Sequence, residues 1–141
     1  MITSSKGKEL IKKFEGLRLK AYRCAANVLT IGWGHTKGVT EDMAITEAEA
    51  EQLLDEDLKT FEHAVNREFT GLNQNQFDAL VSFAFNVGEG NMCCSTLAKK
   101  ARANPNNPTI RGEFLKWVNA AGKPLDGLRK RREQEANLYF A

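Results

Sequence analysis

The chain changes its hydrophobic period at Thr46. Ahead of that residue, "LRLKAYR" (17–23) alternates Leu17, Leu19 and Ala21 against Arg18, Lys20 and Tyr22, and "VLTIGWG" (28–34) is rich in β-formers. The joining "CAAN" contains Asn27, which tolerates positive φ, so the two runs read as a hairpin, with a possible third short strand up to Ile45. From Thr46 onward apolar residues recur at three and four residue spacing. Thr46-Glu47-Ala48-Glu49 is a capping box, and Ala50, Leu53, Leu54, Leu58, Phe61 and Val65 form one stripe of a long amphipathic helix with acids on its other face.

The flanking segments read as helices. Ser4 or Ser5 caps a first helix carrying Leu10, Ile11 and Phe14, and Gly16 stops it, which leaves Glu15 at a helix carboxyl end. Asn73 and Gln76 make a second capping box ahead of "FDALVSFAFNVGEG", which is apolar nearly all round and predicts a central buried helix ending at Gly88. A shorter helix starts at Ser95, "NPNNP" is a loop, Asn107 caps a helix with Pro108 in its first turn, and "AAGKPLDG" turns into a last basic helix. The expected fold is α+β, mainly α, in one domain over 1–141. It has a hairpin lobe at 15–45, a connecting helix at 46–66 and a helical lobe from 1–14 and 67–141, with a ligand cleft between the lobes.

A chain of 141 residues buries roughly two thirds of its surface without a staple, and no apolar run approaches the about 18 residues needed to span a bilayer. "MITSSKGKEL" lacks the apolar core of a secretory signal, so ordinary export is not expected. Cysteines 24, 93 and 94 are odd in number and two are adjacent, which predicts free thiols in a reduced compartment. A net charge of +2 excludes a strongly basic protein, but "RKRR" (129–132) concentrates cations in the last helix. That run suits an anionic polymer of some sort, although a solvated face with one or two ion pairs is the more ordinary use of such a helix.

Among groups able to do chemistry, Glu15 is the most informative. The helix carboxyl end beside it disfavours its ionised form, and a carboxylic acid that keeps its proton suits protonation of a glycosidic oxygen. The alternative is an acid paired with a nearby arginine. Cys24 and Thr30 lie at the two ends of the hairpin turn; taken alone they read as a small apolar residue and a β-former. His35 in "GWGHT" reads as a hydrogen-bonding brace for the hairpin. With two histidines and no partner at ligand spacing, no metal is expected, and no phosphate loop or dinucleotide fingerprint calls for a cofactor.

The stretch "FEGLRLKAYRCAANVLTIGWGHT" resembles the start of the phage-type lysozymes, the endolysins of glycoside hydrolase family 24. Their pattern of Glu, eight residues, Asp or Cys, five residues and Thr falls on Glu15, Cys24 and Thr30. "LNQNQFDALVSFAFNVGEGN", "STLAKK" and "FLKWVNAAGKPLDGLRKRREQEANLYF" continue the similarity, so it covers essentially the whole chain. The resemblance implies a lysozyme-like two-lobe fold and a muramidase that cuts the β-1,4 bond between N-acetylmuramic acid and N-acetylglucosamine in peptidoglycan. Glu15 would be the general acid, and Cys24 and Thr30 would activate or position the attacking water. Thr36, Phe85, Asn86 and Ser95 would contact the glycan, Arg131 and Arg132 match an arginine pair common in the family, and one cation of the basic cluster at 129–132 would pair with Glu15.

The resemblance further implies a monomer acting on glycan strands, with no nucleic acid partner and no stable membrane insertion. It would stay in the host cytoplasm until a holin releases it to the periplasm and cell wall. A cysteine at position 24 starts from a reference pKa near 8.5, against about 3.9 for the aspartate of other members, so Cys24 needs activation to work as a base, with Arg23 a candidate cation. Relatives with an amino-terminal membrane segment can lock this cysteine in a disulfide; no such lock is expected here. The competing readings are a non-catalytic peptidoglycan-binding protein of the same fold, against which the intact Glu15, Cys24, Thr30 spacing argues, and a helical nucleic-acid binder resting on "RKRR" alone.

Overall fold

The computed structural model describes residues 1–141. Its centre is the helix Gln74–Val87, in which every residue from Gln76 to Ala84 is buried. Numbered along the chain, the elements are α1 (Ser5–Glu15), β1 (Arg18–Arg23), β2 (Leu29–Gly32), α2 (Glu47–Glu68), α3 (Gln74–Val87), α4 (Glu89–Cys94), α5 (Thr96–Ala103), α6 (Ile110–Phe114), β3 (Asn119–Ala120), β4 (Lys123–Pro124) and α7 (Asp126–Tyr139). Helix α3 packs against α7, α1, α2 and α4. One apolar cluster runs from Trp33 through Leu54 and Phe77 to Phe83, Phe114 and Tyr139, so the hairpin and helical lobes share a core. No helix is both long and apolar enough to cross a membrane.

Both capping boxes form. Thr46 accepts from the Glu49 backbone while the Glu49 side chain accepts from Thr46, and Asn73 and Gln76 reciprocate in the same way. Along the α2 stripe Ala50, Leu54, Leu58 and Val65 are buried, whereas Leu53 and Phe61 are half-buried because they face the cleft between the lobes.

The antiparallel pair β1–β2 carries an irregularity: four residue steps from Arg18 to Tyr22 oppose two from Gly32 to Thr30. Asn27 takes φ 60° in the turn, and Met43–Ile45 adds a third edge through Ala21 N–Met43 O and Ile45 N–Leu19 O, both 2.9 Å. The expected first helix ends at Glu15, with Gly16 at φ 73°. Its cap comes from a distance: the backbone N–H and the hydroxyl of Ser4 both donate to the buried carboxylate of Asp78 on α3, a negative charge at the positive end of α1.

Three details depart from the sequence-based expectation. Helix α4 follows Gly88 directly. Asn107 accepts from the Thr109 backbone and hydroxyl at 3.0 and 2.7 Å, so α6 starts at Ile110, beyond the Pro108 turn. The segment expected as a plain turn before the basic helix contains the hairpin β3–β4, whose two-residue turn puts Ala121 at φ 52° and Gly122 at φ 77°. That turn type favours Asn-Gly, and the Ala-Gly pair here hid it.

Gly7 shows how tightly α1 seats on α3. A Cβ there would lie 2.7 Å from Thr3 Cγ2 and 2.8 Å from Asp78 Cβ. In an open helix Gly→Ala stabilises by about 1 kcal/mol. Here Gly7→Ala is predicted to destabilise by about 2 kcal/mol through overpacking. Thermal unfolding decides the sign, and a raised melting temperature would contradict the packing described.

Candidate active site

Glu15 is the last residue of α1, and two elements close on its carboxylate. The first is the turn after β2, where Ile31 and His35 exchange backbone hydrogen bonds, both 2.9 Å, across Gly32-Trp33-Gly34. Gly34 has φ 83°, and a Cβ on it would sit 2.7 Å from Glu15 Oε1, so this glycine is required for both conformation and space. The second is α7, whose buried Arg131 donates from Nη1 to Glu15 Oε2 at 2.6 Å. The Glu15 side chain remains 21% exposed, which gives it access to a ligand.

Two cavities meet at this carboxylate. One of about 650 Å³ includes Glu15, Gly34, Thr36, Glu56, Phe85 and Asn86 in its lining; the other, about 480 Å³, includes Phe14, Glu15, Asn86, Leu125 and Arg131. Glu15 and Asn86 belong to both, so the acid stands in the middle of an open-ended groove. Such a groove admits the interior of a polymer.

The other residues singled out from sequence fall in different places. Thr36 and Phe85 line the larger cavity, Phe85 half-buried with its ring edge-on to Phe61 at 5.4 Å. Ser95 is buried, accepts from Ala98 N at 3.0 Å as the cap of α5 and donates to Met92 O at 2.7 Å, and it lines neither cavity. His35 Nδ1 lies 2.8 Å from Asp57 Oδ2 on α2, and its Nε2 lies 2.8 Å from Lys37 O, which ties the turn to the long helix.

Cys24 and Thr30 lie at the turn end of the hairpin and line neither cavity around Glu15. Cys24 N donates to Val28 O at 3.0 Å, and Thr30 Oγ1 lies 2.9 Å from the same carbonyl. The Cys24 thiol is held below the ordinary thiol range, first by the backbone amide of Val28, then by that of Ala26, with Thr30 a smaller contributor. The expected cation is not the cause: Arg23 is engaged by Glu41 Oε1 at 2.9 Å and Asn27 O at 3.2 Å. All three cysteines are free, and burial, then Glu68, pushes the Cys93 thiol up.

The "RKRR" run divides in two. Arg129 and Lys130 are exposed, whereas Arg131 and Arg132 are buried. Fully buried Glu135 accepts from Arg131 Nε at 3.2 Å and Arg132 Nη1 at 2.8 Å, and Arg132 also donates to Asn86 Oδ1 and to Trp117 O. Burial pushes the Arg132 guanidinium down, and Glu135 opposes that. Sequence reasoning missed Glu135; an acid three and four residues beyond two arginines on an otherwise polar helix was the available signal.

Known proteins resemble this chain over its whole length. The family model described as phage lysozyme matches residues 12–135. The chain is 42% identical over 144 residues to an endolysin of Acyrthosiphon pisum secondary endosymbiont phage 1, covering 99% of this chain and 98% of that protein. It is 45% identical to the endolysin of Bacillus phage B103, of which it spans 54%. A crystal structure of a P22 lysozyme mutant superposes with TM-score 0.88 at 37% identity, covering 100% and 99% of the two chains. The active form of P1 phage endolysin Lyz matches with TM-score 0.86 at 29% identity over 98% of this chain and 84% of that one. Its secreted inactive form reaches 0.64 at 25% identity over 98% and 95%. The chain belongs to the phage lysozyme family.

Proposed function

We propose that this glycoside hydrolase is a muramidase that cleaves the β-1,4 bond between N-acetylmuramic acid and N-acetylglucosamine within peptidoglycan and acts as an endolysin. The observation that carries the reading is Glu15 at the junction of two cavities that share Asn86. The names of the relatives support the same substrate, since they are endolysins, lysozymes and muramidases.

In this reading Glu15 delivers its proton to the departing sugar oxygen. Arg131 is poised to stabilise the carboxylate left behind, because a charge-assisted contact strengthens as charge develops. Cys24 and Thr30 handle the water that attacks the opposite face of the sugar, the arrangement of an inverting enzyme. The backbone amides around Cys24 favour its thiolate, which is the form able to take the proton from that water. Thr36, Phe85 and Asn86 contact the glycan, while Ser95 is left out because its hydroxyl is committed to capping.

Release to the wall is assigned to a holin, and the enzyme to a monomer that works without membrane insertion. Relatives named SAR-endolysin, 37% and 36% identical, mark the alternative route of release. The closer match to the active than to the inactive form of the P1 enzyme, together with the free Cys24, favours an enzyme that needs no reduction.

Three outcomes test this reading. Glu15→Gln is predicted to lower the clearing of permeabilised Gram-negative cells by about 100-fold or more; undiminished clearing would end the assignment. Gly34→Ala is predicted to cost about 100-fold in activity by displacing Glu15. Gly38→Ala serves as its control, since Gly38 also has a positive φ, 65°, but an added Cβ there would meet no atom within 4 Å, and it should retain lysis. Loss of lysis in both glycine variants alike would remove the specific role of Gly34. For Cys24, activity rises with pH as the thiol ionises. Cys24→Asp should therefore keep lysis and move the acid limb of the pH profile down toward the carboxylate range, while Cys24→Ala loses most activity. An unmoved acid limb in Cys24→Asp would show that position 24 does not supply the base.

A further inference from the structure

Glu135 has no contact with the cleft, yet both of its oxygens are used to aim groups that do. Oε2 accepts from Ser82 Oγ at 2.6 Å and from Arg131 Nε at 3.2 Å; Oε1 accepts from Arg132 Nη1 at 2.8 Å. On the far side of Arg131, Nη2 donates to Ser82 O at 3.2 Å. With those edges of the planar guanidinium held by α7 and α3, Nη1 is left pointing at Glu15. Arg132 repeats the pattern one residue on: Nε is held by Trp117 O, Nη1 by Glu135, and Nη2 meets Asn86. A carboxylate that merely neutralised a buried helix charge would need one arginine. This one holds two, and each arginine extends a remaining N–H to a residue lining both cavities.

The charges are also balanced. Arg131 and Arg132 are adjacent buried cations, and Glu135 and Glu15 are the two anions in contact with them. Arg131 is therefore shared between two carboxylates, Glu15 and Glu135.

We propose that Glu135 is a positioning residue for the reaction: by sharing Arg131 and holding Arg132, it sets both the aim of Arg131 at Glu15 and the ease with which Glu15 takes up a proton. This rests on the reading of Glu15 as the proton donor. The other charged groups lining the two cavities around Glu15 are His35, Lys37, Glu56 and Asp57 on one side and Asp126 on the other, and none of them is altered by the variants below.

The test compares pH profiles of peptidoglycan hydrolysis by the full chain. In Glu135→Gln, Arg131 has Glu15 as its sole carboxylate, so Glu15 stays ionised to lower pH. The alkaline limb, which reports protonated Glu15, should move down by about one pH unit. Arg132→Met leaves Glu135 to Arg131 alone, and the limb should not move down. The double variant Glu135→Gln with Arg132→Met keeps the buried charge balanced should the single variant fail to fold, and it should show the same downward shift. A direct carbon-13 titration of the Glu15 carboxyl in these proteins reads the same shift without relying on activity. A wild-type limb and carboxyl titration in the folded Glu135→Gln or double variant would overturn the proposal. Glu15→Gln is run alongside: if it still clears cells, the proton-donor reading fails, while the carboxyl titration still decides whether Glu135 acts on Glu15.

Discussion

The contact between Arg131 and Glu15 joins residues 116 positions apart, and the rest of the molecule is arranged so that it can form. Glu15 is delivered by the end of α1, whose position is set at the other end by Ser4 on Asp78 and by the bare surface of Gly7 against α3. Arg131 is delivered by α7, which packs on the same central helix and against α1. Helix α3 is thus the common reference for both partners, and its nearly unbroken burial makes it a rigid one. Glu15 is thus at once the end of a helix and the partner of an arginine.

What was legible in the sequence was the local chemistry. The boxes at Thr46 and Asn73 act within one turn of helix, so four letters suffice to place α2 and α3 to within a residue or two. The hairpin of β1 and β2 was readable for the same reason, through alternation and Asn27. The β3–β4 hairpin was not, because Ala121 in a left-handed conformation carries no sequence signal and the strands are two residues long. The first cap was half-legible: Ser4 was the right residue, but its partner is Asp78, far along the chain.

The site shows the same division. Glu15, singled out by its place at a helix end, and Thr36, Phe85 and Asn86, suggested by the resemblance, line one cavity. Ser95 caps α5 away from both cavities, and a capping serine and a ligand-facing serine look alike in sequence. "RKRR" read as one basic face, whereas helical geometry turns Arg131 and Arg132 inward and Arg129 and Lys130 outward, and the buried half is ordered by Glu135. For Cys24, a neighbouring cation was the natural expectation; the turn itself, through its amides, performs that task.

The reaction proposed for Glu15 is hydrolysis at the muramic acid side of the glycan by an acid and an activated water. Mass analysis of muropeptides released from purified peptidoglycan in oxygen-18 water tests it. The expected fragments end in reducing N-acetylmuramic acid, carry one heavy oxygen and are absent from digests made with Glu15→Gln. Anhydro-muramic ends lighter by one water, reducing ends on N-acetylglucosamine, or fragments freed by peptide cleavage with the glycan intact would contradict it.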